Sequence, residues 1–523
     1  MHDFNSLPDS PEELKRIILR LSENAERQKM QISHLERIII DFRRDRFGRK
    51  SEKTDPKDIL FGMLFNEAEA GLSDQESLYD AHSETEHVKS YSRSRKGRKP
   101  LPAGIPRETV IHDIPDSEKI CACGETLSRI GEETSEQLKY IPAVLSVLRH
   151  VRLKYACTRC RGDERDEAGK IVFTAPMPAQ LLPKSILTPE LFVYIILSKF
   201  LDHIPFYRME KMLLRLEIQI TRATFSNWTV GVHERYGHLF GFMKDLLLEG
   251  RLVGIDETTL QVHREQGREN TLKSYMWVMR GGRPDRPVLM YHYREKRNAD
   301  FLKDFLKGYG GVVQTDGWTS YDTHLNKMEG VTHAACMAHI RREFEKLWKS
   351  DKIPAAGEVL LRIRALYGIE KEIREQELMK KEMYSEIVRI RQEEAKPVFE
   401  ALYELLRELH VRYPHSFGLG KAVSYALGQW PKMETYLSHG ECQIDNNLVE
   451  NAVRPFVLGR KNWLFSDCPE GAEASAFWYS LIQTVKANGK NPNYVLLKLL
   501  ARLPLCENQE QCRKLFFDCM EWS

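Results

Sequence analysis

The stretch VGIDETTLQV, residues 253–262, decides how the rest of the chain is read. Val, Ile, Thr and Leu surround one acidic pair, Asp256 and Glu257, and that composition is a β-strand's. A carboxylate on a half-buried strand is costly unless a cation meets it. Two outcomes are open: the pair ends a strand in water, or it belongs to a charged site. The segments that follow favour the second.

After the strand comes a polar, glycine-containing turn, His263 to Asn270. SYMWVMRGG (274–282) reads as a second strand, and the turn RPDRP leads to a third, VLMYHY (288–293). Asn298 suits a helix N-cap before Phe301, Leu302, Phe305 and Leu306, with Gly308 and Gly310-Gly311 as the stop. VVQTD (312–316) is a strand ending on Asp316. A short helical piece, the strand VTHAAC (331–336) and a helix from HIRREFEKLW complete the series. Three meandering strands, helix, strand, helix, strand, helix is the order of a ribonuclease-H-like fold. There the first and fourth strands are adjacent and parallel, so Asp256 and Asp316 are expected side by side, close enough to share metal.

A third carboxylate comes from QIDNNLVENAVRPF (443–456). Asp445 suits an N-cap, residues 446–454 a short helix, and Pro455 its end. Glu450 shares a face with Asn447 and Arg454, while Leu448, Ala452 and Pro455 pack away. Alone, Glu450 reads as a solvated helix carboxylate paired with Arg454; beside two other acids it reads as a third metal ligand.

DET on the first strand, QTDGWTSYD, CMAHIRREFEK and IDNNLVENAVRPFVLGRKNWLFSD together resemble the transposases of the insertion sequence 66 family. So do FGRKSEK near residue 50, LPAGIPRE with the cysteines after it, and the tail SLIQTVKANGKNPNYVLLKLLARLP. The resemblance spans nearly the whole chain and is most specific at 312–322, 334–344 and 443–466. It implies a bacterial DDE-type transposase with Asp256, Asp316 and Glu450 as the acidic triad, and DNA (element ends and target) as partner. By analogy with the fold class, two Mg²⁺ (or Mn²⁺) ions sit between the acids, Asp256 bridging both and Asp316 and Glu450 each holding one. Small accessory proteins of the same element are a further implied partner.

With 523 residues and 42% apolar content, an α/β multidomain protein with two to four domains is expected. Net charge is only +3, from 78 basic and 75 acidic residues, so the distribution of charge carries more than its sum. The polar start MHDFNSLPDS is no signal peptide, and the longest apolar run, LFVYIIL (191–197), is far too short to span a bilayer. A cytoplasmic, nucleoid-associated protein is expected, with its ten cysteines reduced or on metal.

In chain order, Leu14, Ile18, Leu21, Ala25, Gln28, Ile32, Leu35, Ile39 and Phe42 form a heptad seam. It fits a coiled-coil homodimer over residues 1–45, or an amphipathic helix lying on its own protein. A basic, flexible stretch (46–105) follows. RRDRFGRKSEK (43–53) has six basic residues against two acidic ones. SRSRKGRKP (92–100), with Arg95, Lys96, Arg98 and Lys99, has no acid and suits DNA backbone contact or a disordered linker. Residues 106–178 read as a zinc-binding domain: Cys121 and Cys123 (CxC), then Cys157 and Cys160 (CxxC), flank strand-like segments, a four-thiolate structural Zn²⁺ pattern. Reduced structural cysteines are the other reading.

Residues 179–248 read as a helical domain. Thr188 caps its first helix, and a break at Glu217–Thr221 precedes a second helix rich in Arg222, Thr224, Ser226 and Asn227. That suits a helix-turn-helix, or plain helical packing ahead of the core. The ribonuclease-H-like core is assigned to 249–505, interrupted by a charged helical insertion at 350–440, with a tail at 506–523. Cys336 and His339 open the helix after the last core strand; two ligands are weak grounds for metal, so a polar role near DNA is assigned to His339, beside Arg341 and Arg342. Arg454, Arg460 and Lys461, with Trp463 nearby, are candidate phosphate contacts, and Arg454 equally suits orienting Glu450. Two further readings stay open: a catalytically silent DNA-binding regulator, and a nuclease that cuts without joining.

Overall fold

The computed structural model describes residues 146–156, 172–415 and 418–522. The heptad seam, both basic runs (with Arg95, Lys96, Arg98 and Lys99) and Cys121, Cys123, Cys157 and Cys160 lie outside the described residues. Strands β1 (Lys154–Ala156) and β2 (Val172–Thr174) pair antiparallel.

Four helices follow: α1 (Pro189–Phe200), α2 (Phe206–Leu214), α3 (Arg222–Tyr236) and α4 (Leu239–Leu248). Thr188 accepts the Leu191 N–H and Pro189 occupies the first turn of α1, as the sequence reading expects. The break before α3 also falls as read, and Thr221 caps α3. Helix α3 buries Phe225, Trp228, Thr229, Val232 and Tyr236, and the Trp478 indole donates to the Thr229 carbonyl. Arg222 and Asn227 near its start and Glu234 and Arg235 near its end are exposed.

The central sheet holds β3 (Leu252–Gln261), β4 (Lys273–Arg283), β5 (Arg286–Arg294), β6 (Val312–Gln314) and β7 (Thr332–Ala334) in the order β5-β4-β3-β6-β7. Strands β3, β4 and β5 form an antiparallel meander, because short polar turns join strands of similar length. Strand β6 joins β3 in parallel, with Gly254 opposite Gln314, and β7 extends the sheet in parallel. Between β5 and β7 run a 3₁₀ turn (Ala299–Phe301) capped by Asn298, α5 (Leu302–Phe305) and α6 (Thr319–Leu325). Strands β6 and β7 are shorter than read: Asp316 lies two residues past β6 rather than on its last residue.

Helix α7 (Met337–Asp351) leads into the insertion, which contains α8 (Pro354–Glu375), α9 (Tyr384–Ile390), a π-helical turn (Arg391–Ala395), α10 (Lys396–Arg412) and α11 (Gly418–Ser438). It is more than a solvated hairpin. Arg391 is fully buried and uses all its N–H donors: two on Glu370 (2.8 and 2.9 Å) and three on the Tyr436, His439 and Cys442 carbonyls. Tyr436 also donates to Glu370, 2.6 Å. Lys432 reaches Asp322 on α6 at 2.8 Å, so the insertion is anchored to the sheet domain.

Helix α12 (Asn447–Trp463) corrects the sequence reading twice. It begins one residue later than a cap at Asp445 requires, although Asp445 still accepts the Asn447 N–H at 3.1 Å. Pro455 lies inside the helix instead of ending it. Proline there removes one backbone hydrogen bond, but Val449, Ala452, Phe456 and Gly459 form a continuous buried stripe across it, and packing decides. Of the residues read as packing away from Glu450, Ala452 is buried, while Leu448 and Pro455 are half-buried. Helix α13 (Pro469–Ala487) then runs through the core, with every residue from Ala474 to Val485 buried; α14 (Pro492–Arg502) and α15 (Gln509–Met520) close the chain. Strand β5 is a sheet edge, and α13 covers it: the Leu289 N–H donates to Thr484 Oγ1 and the Tyr291 N–H to Ser480 Oγ.

Candidate active site

Side chains alternate along a strand, so Gly254 and Asp256 face one side of β3 and Ile255 and Glu257 the other. Helix α12 lies on the Gly254 side. A Cβ at Gly254 would come within 2.4 Å of Val449 Cγ2 and 2.6 Å of Asn446 Oδ1, so only glycine permits this approach. Asn446 Nδ2 donates to the Ile255 carbonyl at 3.0 Å, pinning the start of α12 beside Asp256. Asp256 and Asp316 each stand two residues beyond the Gly254–Gln314 pair, at matching positions of adjacent parallel chains. Gln314 fixes the approach of α12, its side-chain amide donating to the Gln443 carbonyl at 2.8 Å.

Asp316 and Glu450 both bear on the Asp256 carboxyl. The Asp256 carboxyl is pushed up to about 8, first by burial, then by Glu257, Asp316 and Glu450, against the Glu257 N–H that it accepts at 2.8 Å. Glu450 meets Arg342 Nη2 at 2.9 Å, while its Oε1 lies 3.6 Å from His339 Nδ1, beyond hydrogen-bond reach. Both of those buried atoms lack a hydrogen-bond partner. Asp316 is preset by the Trp318 N–H, which donates to its Oδ1 at 2.9 Å. Converging carboxylates, one of them destabilised as an anion and one with an orphaned buried oxygen, fit an oxygen-liganded divalent cation such as Mg²⁺.

Among the described residues, Cys336, His339 and Glu450 are the one set of three potential ligand residues whose ligand atoms lie within 4.8 Å of one another. The thiol is held differently, however. Cys336 Sγ accepts the Asn446 N–H at 3.1 Å, and burial pushes its pKa well above the usual thiol range. A neutral thiol in that bond joins the starts of α7 and α12 and is a poor metal ligand.

Sequence reasoning did not assign three features beside the site: Glu257, the Arg297 and Tyr321 groups that hold it, and Tyr425. Glu257, its side chain 2% exposed, faces away from α12 and receives the Tyr321 hydroxyl and Arg297 Nε (2.6 Å). Arg297 also lies over the Trp318 ring at 4.2 Å, so this network braces the loop carrying Asp316. Strand alternation was the available signal, since neighbours on a strand cannot share a face. The third is Tyr425 of α11, packed on Gly317, where a Cβ would fall 2.5 Å from its hydroxyl. No sequence signal marks that contact. Among the expected cations, Arg342 is on Glu450, Arg341 is 3.3 Å from Glu345, and Arg454 is exposed. Arg460 Nη1 donates to Thr258 Oγ1 (3.1 Å) and to the Thr259 carbonyl, while Lys461 is exposed. Trp463 is half-buried and packs edge-on against Phe456.

Residues 184–474 match the family described as "Transposase IS66 family". The chain belongs to the IS66 family of transposases. A second match, "zinc-finger binding domain of transposase IS66", covers 118–161 and so contains all four expected zinc cysteines; a third, "Transposase C of IS166 homeodomain", covers 34–110. Two similar proteins come from Sinorhizobium fredii. The uncharacterized protein y4jD is 29% identical over 516 residues (95% of this chain, 93% of that one), and y4qI is 31% identical over 488 (90% and 86%). In this IS66-family chain helices α1 to α12 and the sheet β3–β7 fall within the transposase match, and no helix among the described residues is long and apolar enough to cross a membrane.

Proposed function

We propose that the chain is a DDE transposase with a ribonuclease-H-like core, in which Asp256, Asp316 and Glu450 cut and rejoin DNA at the ends of an insertion sequence. The observation that carries this is the convergence of three carboxylates, with Asp256 held up to about 8 by burial and by its acidic neighbours. Asp256, Asp316 and Glu450 would together hold two Mg²⁺ (or Mn²⁺) ions. When bound, the ions neutralise charge on the attacking and leaving oxygens. Asp316 is oriented by the Trp318 N–H, and Glu450 by Arg342. Water attacks phosphorus and the DNA 3′-oxygen leaves as a hydroxyl; that 3′-hydroxyl then attacks a target phosphodiester, forming one P–O bond as another breaks. No protein nucleophile is needed.

The rest of the chain holds DNA in this reading. Cys121, Cys123, Cys157 and Cys160 bind one structural Zn²⁺. Arg95, Lys96, Arg98, Lys99, His339, Arg341, Arg342, Arg454, Arg460 and Lys461 contact DNA; Arg460 also braces α12 on β3. The heptads of residues 14–42 pair two copies so that two ends are held together, and accessory proteins of the element complete the assembly.

The test is single-turnover cleavage of an element-end duplex with Mg²⁺, wild type against Asp256→Ala at matched DNA occupancy. The variant binds but cuts at least about a thousandfold more slowly, ~4 kcal/mol of barrier. Equal cutting by both proteins removes the triad from the mechanism. Marked ends then separate joining from cutting: cleavage without joined product rejects strand transfer.

A further inference from the structure

At the end of α12 the chain makes a strained turn. Leu464 has φ +69° and ψ −52°, a conformation rare for any residue with a side chain, and the Phe465 N–H donates back to the Trp463 carbonyl at 2.9 Å. The fold holds the turn at both ends. Leu464 N–H bonds the Arg460 carbonyl at 2.8 Å, while Ser466 pairs with the end of β3 through Gln261 and His263, both at 2.9 Å. The result lifts two apolar side chains into solvent: Leu464 is 63% exposed and Phe465 41%. Phe465 stacks on His263, ring centroids 4.1 Å apart.

Beside Leu464 opens a cavity of about 340 Å³, lined by Leu260, Gln261, Lys273, Arg460 and Lys461 among others. Three cations line it and no carboxylate does. Lys273 and Lys461 are exposed, and no ion pair to either is recorded among the described residues. Thr259, on its wall, is three residues along β3 from Asp256, about 10 Å at strand rise. An apolar projection flanked by cations is the chemistry of a wedge between bases, with phosphates neutralised alongside. A stacked duplex presents its phosphates stiffly, and unstacking one nucleotide gives the backbone the slack to enter a recessed acidic site.

We infer that Leu464 and Phe465 form a wedge that unstacks DNA next to the cut, and that the adjoining cavity takes the displaced nucleotide, its phosphates on Lys461 and Lys273. The inference rests on the transposase reading for its partner, DNA, but not on catalysis.

The experiment uses the full chain without divalent metal. Affinity is measured for a duplex carrying one unpaired 2-aminopurine and for the same duplex fully paired, together with 2-aminopurine fluorescence. Wild type binds the unpaired duplex about tenfold more tightly and changes its fluorescence. Leu464→Ala loses that preference, Leu464→Met keeps it, and thermal melting shows both variants folded. Absence of the preference in wild type, or its survival in Leu464→Ala, overturns the wedge. Asp256→Ala keeps the preference; a preference present in a protein that never cuts with Mg²⁺ leaves the wedge standing and brings down the catalytic reading instead.

Discussion

Asp256 shows how a residue can be both misplaced and useful. Its carboxyl, raised to about 8, keeps a proton in the folded chain that the unfolded chain releases near 3.8. Between those values the folded state binds the extra proton, so this residue's contribution to stability falls as pH rises from about 4 to about 8. Asp256→Asn removes the effect. In EDTA its melting temperature therefore exceeds that of wild type by a few degrees at pH 8 and by less at pH 5. Added Mg²⁺ narrows the gap by raising wild type alone. A gap that does not grow with pH contradicts the assigned protonation. The place of Asp256 was legible in its apolar strand, whereas Asp316 stands past the end of β6. Glu257 was legible only as half of a pair, since its partners, Arg297 and Tyr321, come from separate elements.

At the scale of elements, local pattern succeeded where neighbours in sequence are neighbours in space. The meander β3–β4–β5 and the Asn298 and Thr188 caps follow from residues a few positions apart. Helix α12 did not, because a buried stripe on both sides of Pro455 outweighs one missing hydrogen bond. The same close packing makes Gly254 sensitive. Gly254→Ala drives a methyl into Val449 and Asn446, with an expected loss of about 1–3 kcal/mol in urea unfolding and weaker Mg²⁺ binding as α12 shifts. Unchanged urea stability and Mg²⁺ affinity would show that α12 yields without cost. The insertion read as charged helices, but its buried Arg391–Glu370 pair could not be inferred, because which charges face inward is set by tertiary contacts.

At the scale of the molecule, the family matches cover segments with different chemistry: a zinc-finger segment at 118–161 and the transposase region at 184–474. The first predicts one zinc per chain in purified protein by metal analysis. Cys157→Ser with Cys160→Ser should abolish it while leaving Mg²⁺ binding intact; zinc retained in the double variant would move the ligands elsewhere. CxxC spacing made this segment legible, whereas nothing local announces that Tyr425, deep in the insertion, ends beside Asp316.

The hydroxyls of Ser480 and Thr484 that close the edge of β5 lie nearly two hundred positions downstream of it. During synthesis the edge strand emerges long before its cover. Until α13 has left the ribosome the edge amides stay open, and an open edge recruits other strands. A nascent or truncated chain therefore holds Asp256 and Asp316 in a sheet that is still adhesive, and it is a ready substrate for chaperones and proteases. The order of synthesis thus makes folding of the sheet domain a late event, completed only once α13 has followed the insertion out of the ribosome.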